Sequence, residues 1–141
     1  PISPDCCGEN KGPLAGILTA MKWAAVIEAK WVFTVAGDAP FIPPDLVHRS
    51  LHSAITKKVR MVCASSNNRP HPVCALWDVT LADDLEWSLL ARDIRKIDLW
   101  TSSLNFTTEE FSTEPIDPFF NVNSPEDLEE AERLLENEIK R

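Results

Sequence analysis

Trp31-Val32-Phe33-Thr34-Val35-Ala36 runs directly into Gly37-Asp38-Ala39-Pro40-Phe41-Ile42-Pro43-Pro44-Asp45-Leu46, so that an apolar segment ends on one carboxylate and then turns sharply. Residues 31–36 are β-branched or aromatic and read as a buried strand of a parallel sheet, apolar on both faces. Open α/β sheets bind ligands at the carboxyl ends of such strands. A short acid placed there reaches a cation and a phosphate without being buried unpaired. Asp38 is therefore the candidate metal ligand and catalytic residue, and its position carries more of the signal than its identity.

Upstream, Lys11-Gly12-Pro13-Leu14-Ala15-Gly16-Ile17-Leu18 opens a helix. Gly12 suits the N-cap, and Pro13 suits the first helical position because its missing N–H is unpaired there in any residue. Leu14, Ile17, Leu18, Met21 and Ala25 recur at helical spacing and give one apolar face. Such a start leaves free backbone N–H groups for an anion. Gly16 removes a side chain one turn in, where a base or sugar passes close. An ordinary capped helix with a packing glycine is the competing reading of the same residues.

At 141 residues the chain has the length of one domain, long enough for a core but short for a complete nucleotide-utilising α/β enzyme. Its formal net charge of −8 argues against binding a nucleic-acid backbone. Much of that charge is local, in Glu126-Asp127-Leu128-Glu129-Glu130-Ala131-Glu132. No apolar run has the length of a membrane span and no basic-apolar leader is recognisable, so a cytoplasmic protein is expected. Cys6, Cys7, Cys63 and Cys74 lack the paired spacing of a zinc site. Cys63 and Cys74 fall within strand-like runs and read as small core residues.

Helices and buried strands alternate. Helix is expected over 13–29, strand over 31–36, helix over 44–56 with Leu46, Val47, Leu51 and Ile55 inward, and strand over 59–64. Residues 65–72 read as a polar loop punctuated by Pro70 and Pro72, before a strand over 73–77 and a helix over 79–92. A shorter helix over 94–100, a short strand over 104–106 and a loop over 110–117 follow. Phe119-Phe120-Asn121-Val122-Asn123 returns to the site before a last helix with Ser124 as N-cap, Pro125 in the first turn and Asp127 completing a capping box. Leu128, Ala131, Leu135 and Ile139 are expected to face inward. The fold class is α/β: a Rossmann-like three-layer α/β/α sandwich with a mostly parallel sheet.

Gly12-Pro13-Leu14-Ala15-Gly16-Ile17, Val35-Ala36-Gly37-Asp38-Ala39-Pro40-Phe41, Arg69-Pro70-His71-Pro72-Val73 with Leu76-Trp77, Arg95-Lys96-Ile97, and Asn121-Val122-Asn123-Ser124-Pro125-Glu126-Asp127-Leu128 occur in this order. With these motifs the chain resembles the molybdenum cofactor guanylyltransferases of the nucleotidyltransferase superfamily. The resemblance implies transfer of GMP from GTP to molybdopterin with release of pyrophosphate. It implies Mg²⁺ and the GTP phosphates at Asp38, and GTP binding by Asp5 together with the Gly12, Pro13, Leu14 and Gly16 segment. It places Arg69, His71, Asn121 and Asn123 on the molybdopterin side. Cofactor-delivery proteins and molybdoenzymes are the implied partners.

The family opens with a strand, a Leu-Ala-Gly-Gly loop, an Arg-Met-Gly stretch and a lysine, and none of these is found here. The expectation is a chain holding the C-terminal two-thirds of the family's domain, its N-terminal strand and loop missing, with sheet edges left open. Two other readings stand beside the enzyme: a non-catalytic module binding molybdopterin or a partner, or an inactive fragment. A cytidylyl or sugar-phosphate transferase is a further one. Among the remaining candidates, His48 and His52 are spaced like a metal pair on a helix, but Arg49 and Ser50 beside them suggest a solvated face. Arg95-Lys96 suits either an anion or a helix end. The five tryptophans read as core and edge packing.

Overall fold

In the computed structural model, which describes Pro4 and residues 12–140, the apolar run at residue 31 forms strand β1, Trp31–Thr34. Helix α1, Pro13–Val26, precedes it. After it come α2 (Leu46–Lys57), β2 (Met61–Ser66), β3 (Arg69–Asp78), a 3₁₀ turn (Val79–Leu81), α3 (Ala82–Leu90), α4 (Ile97–Thr101), β4 (Phe106–Phe111) and α5 (Pro125–Ile139). The four strands lie in the order β1-β3-β2-β4. Cys6 and Cys7 lie outside the described residues, as does Asp5.

The three-layer reading holds and the sheet direction is corrected. β3 runs antiparallel to both neighbours, and only β2 and β4 are an adjacent parallel pair. The cause is at residues 65–72, which are not a loop. Ser65 and Ser66 finish β2, and Asn67 and Asn68, at φ 50° and 59°, make a two-residue turn straight into Arg69. Both central residues of such a hairpin turn need positive φ, which Asn tolerates better than most side chains. A parallel connection needs a dozen or more residues, which this interval does not supply.

The two prolines fit where they stand. Pro70 pairs with Ser65, one position beyond the closing Ser66–Arg69 pair, so it occupies a non-hydrogen-bonded site of the hairpin, and β1 does not reach that level. Pro72 lies in a bulge. His71 opposes Ala64 and Ala75 opposes Cys63, leaving Pro72, Val73 and Cys74 on β3 without partners on β2.

Alternation along the strands builds the two faces. Val32, Met61, Cys63, Ala75 and Trp77 face α1, α3 and α4, with Leu14, Ile17, Leu18, Met21, Leu85, Leu89 and Trp100 completing that core. Trp77 stacks on Trp100 at 5.5 Å, and its indole N–H donates to Thr34 Oγ1 at 2.9 Å. Trp31, Phe33, Val62 and Leu76 face α2. Cys63 and Cys74 are buried core thiols as expected. Burial pushes Cys63 up to about 11 and raises Cys74 as well.

Two helix faces and two tryptophans depart from their sequence reading. On α2, Val47 and Ile55 are exposed while Ser50, Ser53 and Ala54 are buried with Leu46. The reason is β4, which extends to Phe111 through the expected loop and turns a polar inner face toward the helix. Glu109 accepts from Ser53 Oγ at 2.5 Å and from Arg49, and Thr107 accepts from Lys57 at 3.1 Å. Arg49 also lies over the Phe111 ring at 4.1 Å. On α5 the capping box forms as expected, but of the four residues expected inward only Ala131 is buried, and Leu128, Leu135 and Ile139 are exposed. On α1 and α3, Trp23 and Trp87 are exposed, so those tryptophans are not core. No helix of the described residues is long and apolar enough to cross a membrane.

Burial alone would raise the Glu109 carboxyl, but the Ser53 and Arg49 hydrogen bonds outweigh it and hold the group below its ordinary value of 4.5. Its stabilisation is therefore present above that value and lost as pH falls through the lowered one. Glu109→Gln is expected to cost about 1 kcal/mol at neutral pH, since Arg49 is half-exposed, and to flatten the acid limb of stability measured by urea unfolding. Asn68→Val, a β-branched residue at φ 59°, is expected to cost about 1–2 kcal/mol in the same experiment.

Candidate functional site

β1 stops at Thr34, paired with Ala75, while β3 continues to Arg69. The β2–β3 hairpin thus overhangs the carboxyl end of β1. Thr34 Oγ1 donates to the Val73 carbonyl at 2.7 Å and fixes that overhang over the segment leading to Asp38. The bulge carries the strand across, and a notch of about 190 Å³ lies between Ala36 and the residues Arg69 to Cys74, with Phe119 and Asn121 on its far side.

A second hollow of about 350 Å³ shares Arg69, His71, Phe119 and Asn121 with the first and extends to Ser66, Asn67 and Asp117. The two are lobes of one cleft, with His71 in the wall of both. His71 stacks on Phe119 at 4.5 Å, and Phe119 is buried edge-on against Phe111. Burial of the ring is the main cause lowering the His71 pKa below its ordinary value of 6.5, and the Arg69 charge adds to it; the Asp117 and Glu110 carboxylates oppose. The imidazole is favoured neutral.

Asp38 is half-buried at the lip of another cavity, of about 420 Å³, walled by Gly37, Pro40, Phe41 and Val122 and by Leu128, Ala131 and Leu135 of α5. The exposed apolar face of α5 is the wall of this cavity. The Val122 N–H donates to the Asp38 carbonyl at 2.8 Å. Val122 lines the Asp38 cavity and the adjacent Asn121 lines the Arg69–His71 cleft, so this bonded segment borders both. Phe41 and Phe120 meet across it at 6.3 Å. Among the described residues the Asp38 side chain has no ion-pair partner, and no group of three or more His, Cys, Asp or Glu is arranged to hold a metal. Glu132 of α5 also lines this cavity, so two carboxylates face it. So few protein ligands beside an open cavity suit Mg²⁺, which keeps several waters, and do not suit a cation needing an all-protein cage.

The chain folds four of the expected site residues into this region: Asp38, Arg69, His71 and Asn121. Asn123 lines none of these cavities; it is exposed, and its backbone N–H donates to Asp127 in the cap of α5. Gly12, Pro13 and Gly16 are exposed at the start of α1. Gly12 adopts φ 69°, open to glycine and strained for other residues, and a Cβ there would meet the Arg95 carbonyl only at 3.6 Å, an ordinary contact. The Leu14 side chain is fully buried in the core, which leaves only its backbone to meet a ligand. Arg95 is exposed and paired with Asp93 at 3.0 Å. His48 and His52 are exposed on α2, on the solvated face that their neighbours suggest. Sequence reasoning missed Ser66 and Asp117. The clue to Ser66 was the Ser-Asn-Asn-Arg hairpin signal; nothing local marks Asp117.

Comparison with known proteins extends this geometry. The model of the MobA-like NTP transferase domain matches residues 4–103. A molybdenum cofactor guanylyltransferase of Nitrobacter hamburgensis is 46% identical over 125 residues, covering 87% of this chain and 60% of the relative. One from Rhodopseudomonas palustris is 43% identical over 140 residues, covering 98% and 65%. The chain thus spans 60–65% of the length of these curated relatives. Among solved structures, molybdopterin-guanine dinucleotide biosynthesis protein A of Archaeoglobus fulgidus superposes with a TM-score of 0.69 at 27% identity, over 89% of this chain and 64% of that one. A protein of Aquifex aeolicus shares the fold, with a TM-score of 0.68 at 20% identity over 83% and 59%. With its family model matched over most of its length and Asp38 set in the turn that follows β1, the chain belongs to the MobA-like NTP transferase domain family.

Proposed function

We propose that this chain carries out, or contributes most of the site for, transfer of GMP from GTP to molybdopterin with release of pyrophosphate. The observation that carries the reading is that Val122, bonded to Asp38, lines one cavity while its neighbour Asn121 lines the cleft with Arg69 and His71, which offers room for two anionic substrates close to Asp38. The printed names of the relatives, each a molybdenum cofactor guanylyltransferase, support the substrates.

The chemistry is an in-line displacement at phosphorus. A phosphate oxygen of molybdopterin forms a bond to the α-phosphorus of GTP, the bond from that phosphorus to the β-phosphate's bridging oxygen breaks, and the electron pair leaves with pyrophosphate. The nucleophile is already an anionic oxygen, so no strong general base is required. A neutral His71 agrees with that. Asp38 holds Mg²⁺, which when bound supplies Lewis-acid charge neutralisation to the phosphates. Arg69 clamps the molybdopterin phosphate, its planar fork matching two oxygens, and Asn121 hydrogen-bonds the pterin. The backbone N–H groups at Gly12 and Leu14, with Asp5 before them, serve the nucleotide. On this reading the protein works in the cytoplasm, and its further partners are the proteins that deliver molybdopterin and receive the product.

Asp38→Asn is expected to lower Mg²⁺-dependent formation of molybdopterin-guanine dinucleotide by on the order of 100-fold or more, with the circular dichroism spectrum and melting temperature unchanged. Wild-type turnover in that variant would remove Asp38 from the mechanism. Equal rates with CTP and GTP would remove the guanylyl assignment.

A further inference from the structure

Ser66, His71 and Asp117 form a hydrogen-bonded chain that the transfer chemistry does not require. Ser66 Oγ lies 2.8 Å from His71 Nε2 and 3.2 Å from Asp117 Oδ2. A serine hydroxyl has one proton, and an ionised carboxylate can only accept. If Ser66 gave its proton to the imidazole, its oxygen and Asp117 Oδ2 would face each other as two acceptors with nothing between them. The arrangement that satisfies every atom has His71 Nε2–H donating to Ser66 Oγ and Ser66 donating to Asp117. The neutral ring then carries its lone pair on Nδ1, which has no protein partner among the described residues.

Each member is held firmly. Ser66 is buried at the last position of β2 and paired across the turn with Arg69. Asp117 is fixed by the Phe119 N–H, which donates to its other oxygen at 3.0 Å. Stacking on the buried Phe119 ring fixes the plane of the imidazole. These three residue types are those of a hydrolytic triad, but the order is different. The carboxylate is on the serine and not on the imidazole, so the imidazole cannot take the serine proton and Ser66 is no nucleophile. The chain instead determines which face of the imidazole meets the cleft.

We propose that Ser66 and Asp117 are positioning residues that hold His71 as its Nε2–H tautomer, so that Nδ1 offers a neutral acceptor to an N–H or O–H donor of a phosphate-bearing heterocycle in the cleft. The inference rests on the reading of this cleft as the molybdopterin side. It adds a selection rule: the ligand must bring a donor, and it binds only while His71 is neutral. Protonation puts a hydrogen on Nδ1 and turns the acceptor into a donor. Burial and Arg69 resist that protonation, while Asp117 and Glu110 favour it.

The test begins with long-range ¹H–¹⁵N correlation of the imidazoles in the wild-type chain, which separates the tautomers without any ligand. The Nε2–H form is expected for His71, with the preference lost in Ser66→Ala and Asp117→Asn and kept in Ser66→Thr. Binding is then read by fluorescence with 6-hydroxymethylpterin monophosphate as probe, and turnover by the GMP transfer assay. Ser66→Ala is expected to weaken the probe and raise the KM for molybdopterin by about tenfold, the worth of one hydrogen bond. The KM for GTP and kcat stay unchanged, and Ser66→Thr restores the wild-type values. His71→Asn, which keeps an acceptor near the Nδ1 position, is expected to retain binding and lose its weakening at acid pH. A dominant Nδ1–H tautomer, a probe that does not bind the wild-type chain, or a Ser66→Ala variant with unchanged probe affinity would each overturn the proposal. If GMP transfer is absent while the tautomer and the Ser66-dependent probe binding are as expected, the proposed function fails and the positioning role stands.

Discussion

The left-handed pair Asn67–Asn68 is the constraint from which the site follows. Because both residues adopt positive φ, β2 reverses without a helix and β3 enters the sheet antiparallel between β1 and β2. A strand arriving by a helical crossover would have run parallel. The hairpin lets β3 be longer than β1, and the surplus, Arg69 to Cys74, hangs over the carboxyl end of β1 where Asp38 emerges. Arg69 and His71 are therefore placed by strand register and not by a loop. The bulge at Pro72–Cys74 supplies the bend, and the Thr34–Val73 bond closes it.

Much of this was legible in the sequence where the signal is local. The glycine-proline opening of α1 and the Ser124–Asp127 capping box each declare themselves within a few residues and form, whereas the expected buried strand over 31–36 forms only as the part-buried edge strand Trp31–Thr34, with Val35 exposed. The direction of β3 was also written there, since residues 65–72 are too few for a parallel crossover. Two prolines within that stretch read as breakers because the strand partners that make them harmless are set by pairing, which composition does not display. Ser66 and Asp117 lie 51 residues apart and meet only when β2 and the segment before α5 are in place. No periodicity could join them.

The inward face of α2 shows the same limit from another side. Apolarity favoured Val47 and Ile55, yet the helix buries Ser53 and turns Arg49 inward because its neighbour is the Thr-Thr-Glu-Glu strand β4, while the buried Ser50 hydroxyl finds no hydrogen-bond partner among the described residues. Edge strands carry charge readily, since an exposed edge of apolar residues invites pairing with other chains. Once Glu109 points at α2, a serine and an arginine are better neighbours than a valine. The polarity of one element thus sets the register of the next, an effect that treating each helix alone does not capture.

On the proposed function, the placing of Asp38 and of the Arg69–His71 cleft follows from the chemistry. Joining two phosphates demands that like charges be brought together and that negative charge on the leaving group be stabilised; it does not demand that a proton be removed from the attacking oxygen. A site built for that needs one carboxylate free of ion pairs to share a cation with the substrates, and fixed neutral or cationic groups to orient them. Asp38 has no ion-pair partner among the described residues, Arg69 is exposed at the mouth of the cleft, and burial lowers the pKa of His71. A basic, proton-hungry imidazole at the same place would acquire a charge and lose its acceptor. Burial lowers the His71 pKa, which suits the acceptor role proposed for its ring, and the Asp117 carboxylate accepts from Ser66, whose hydroxyl in turn meets the imidazole Nε2.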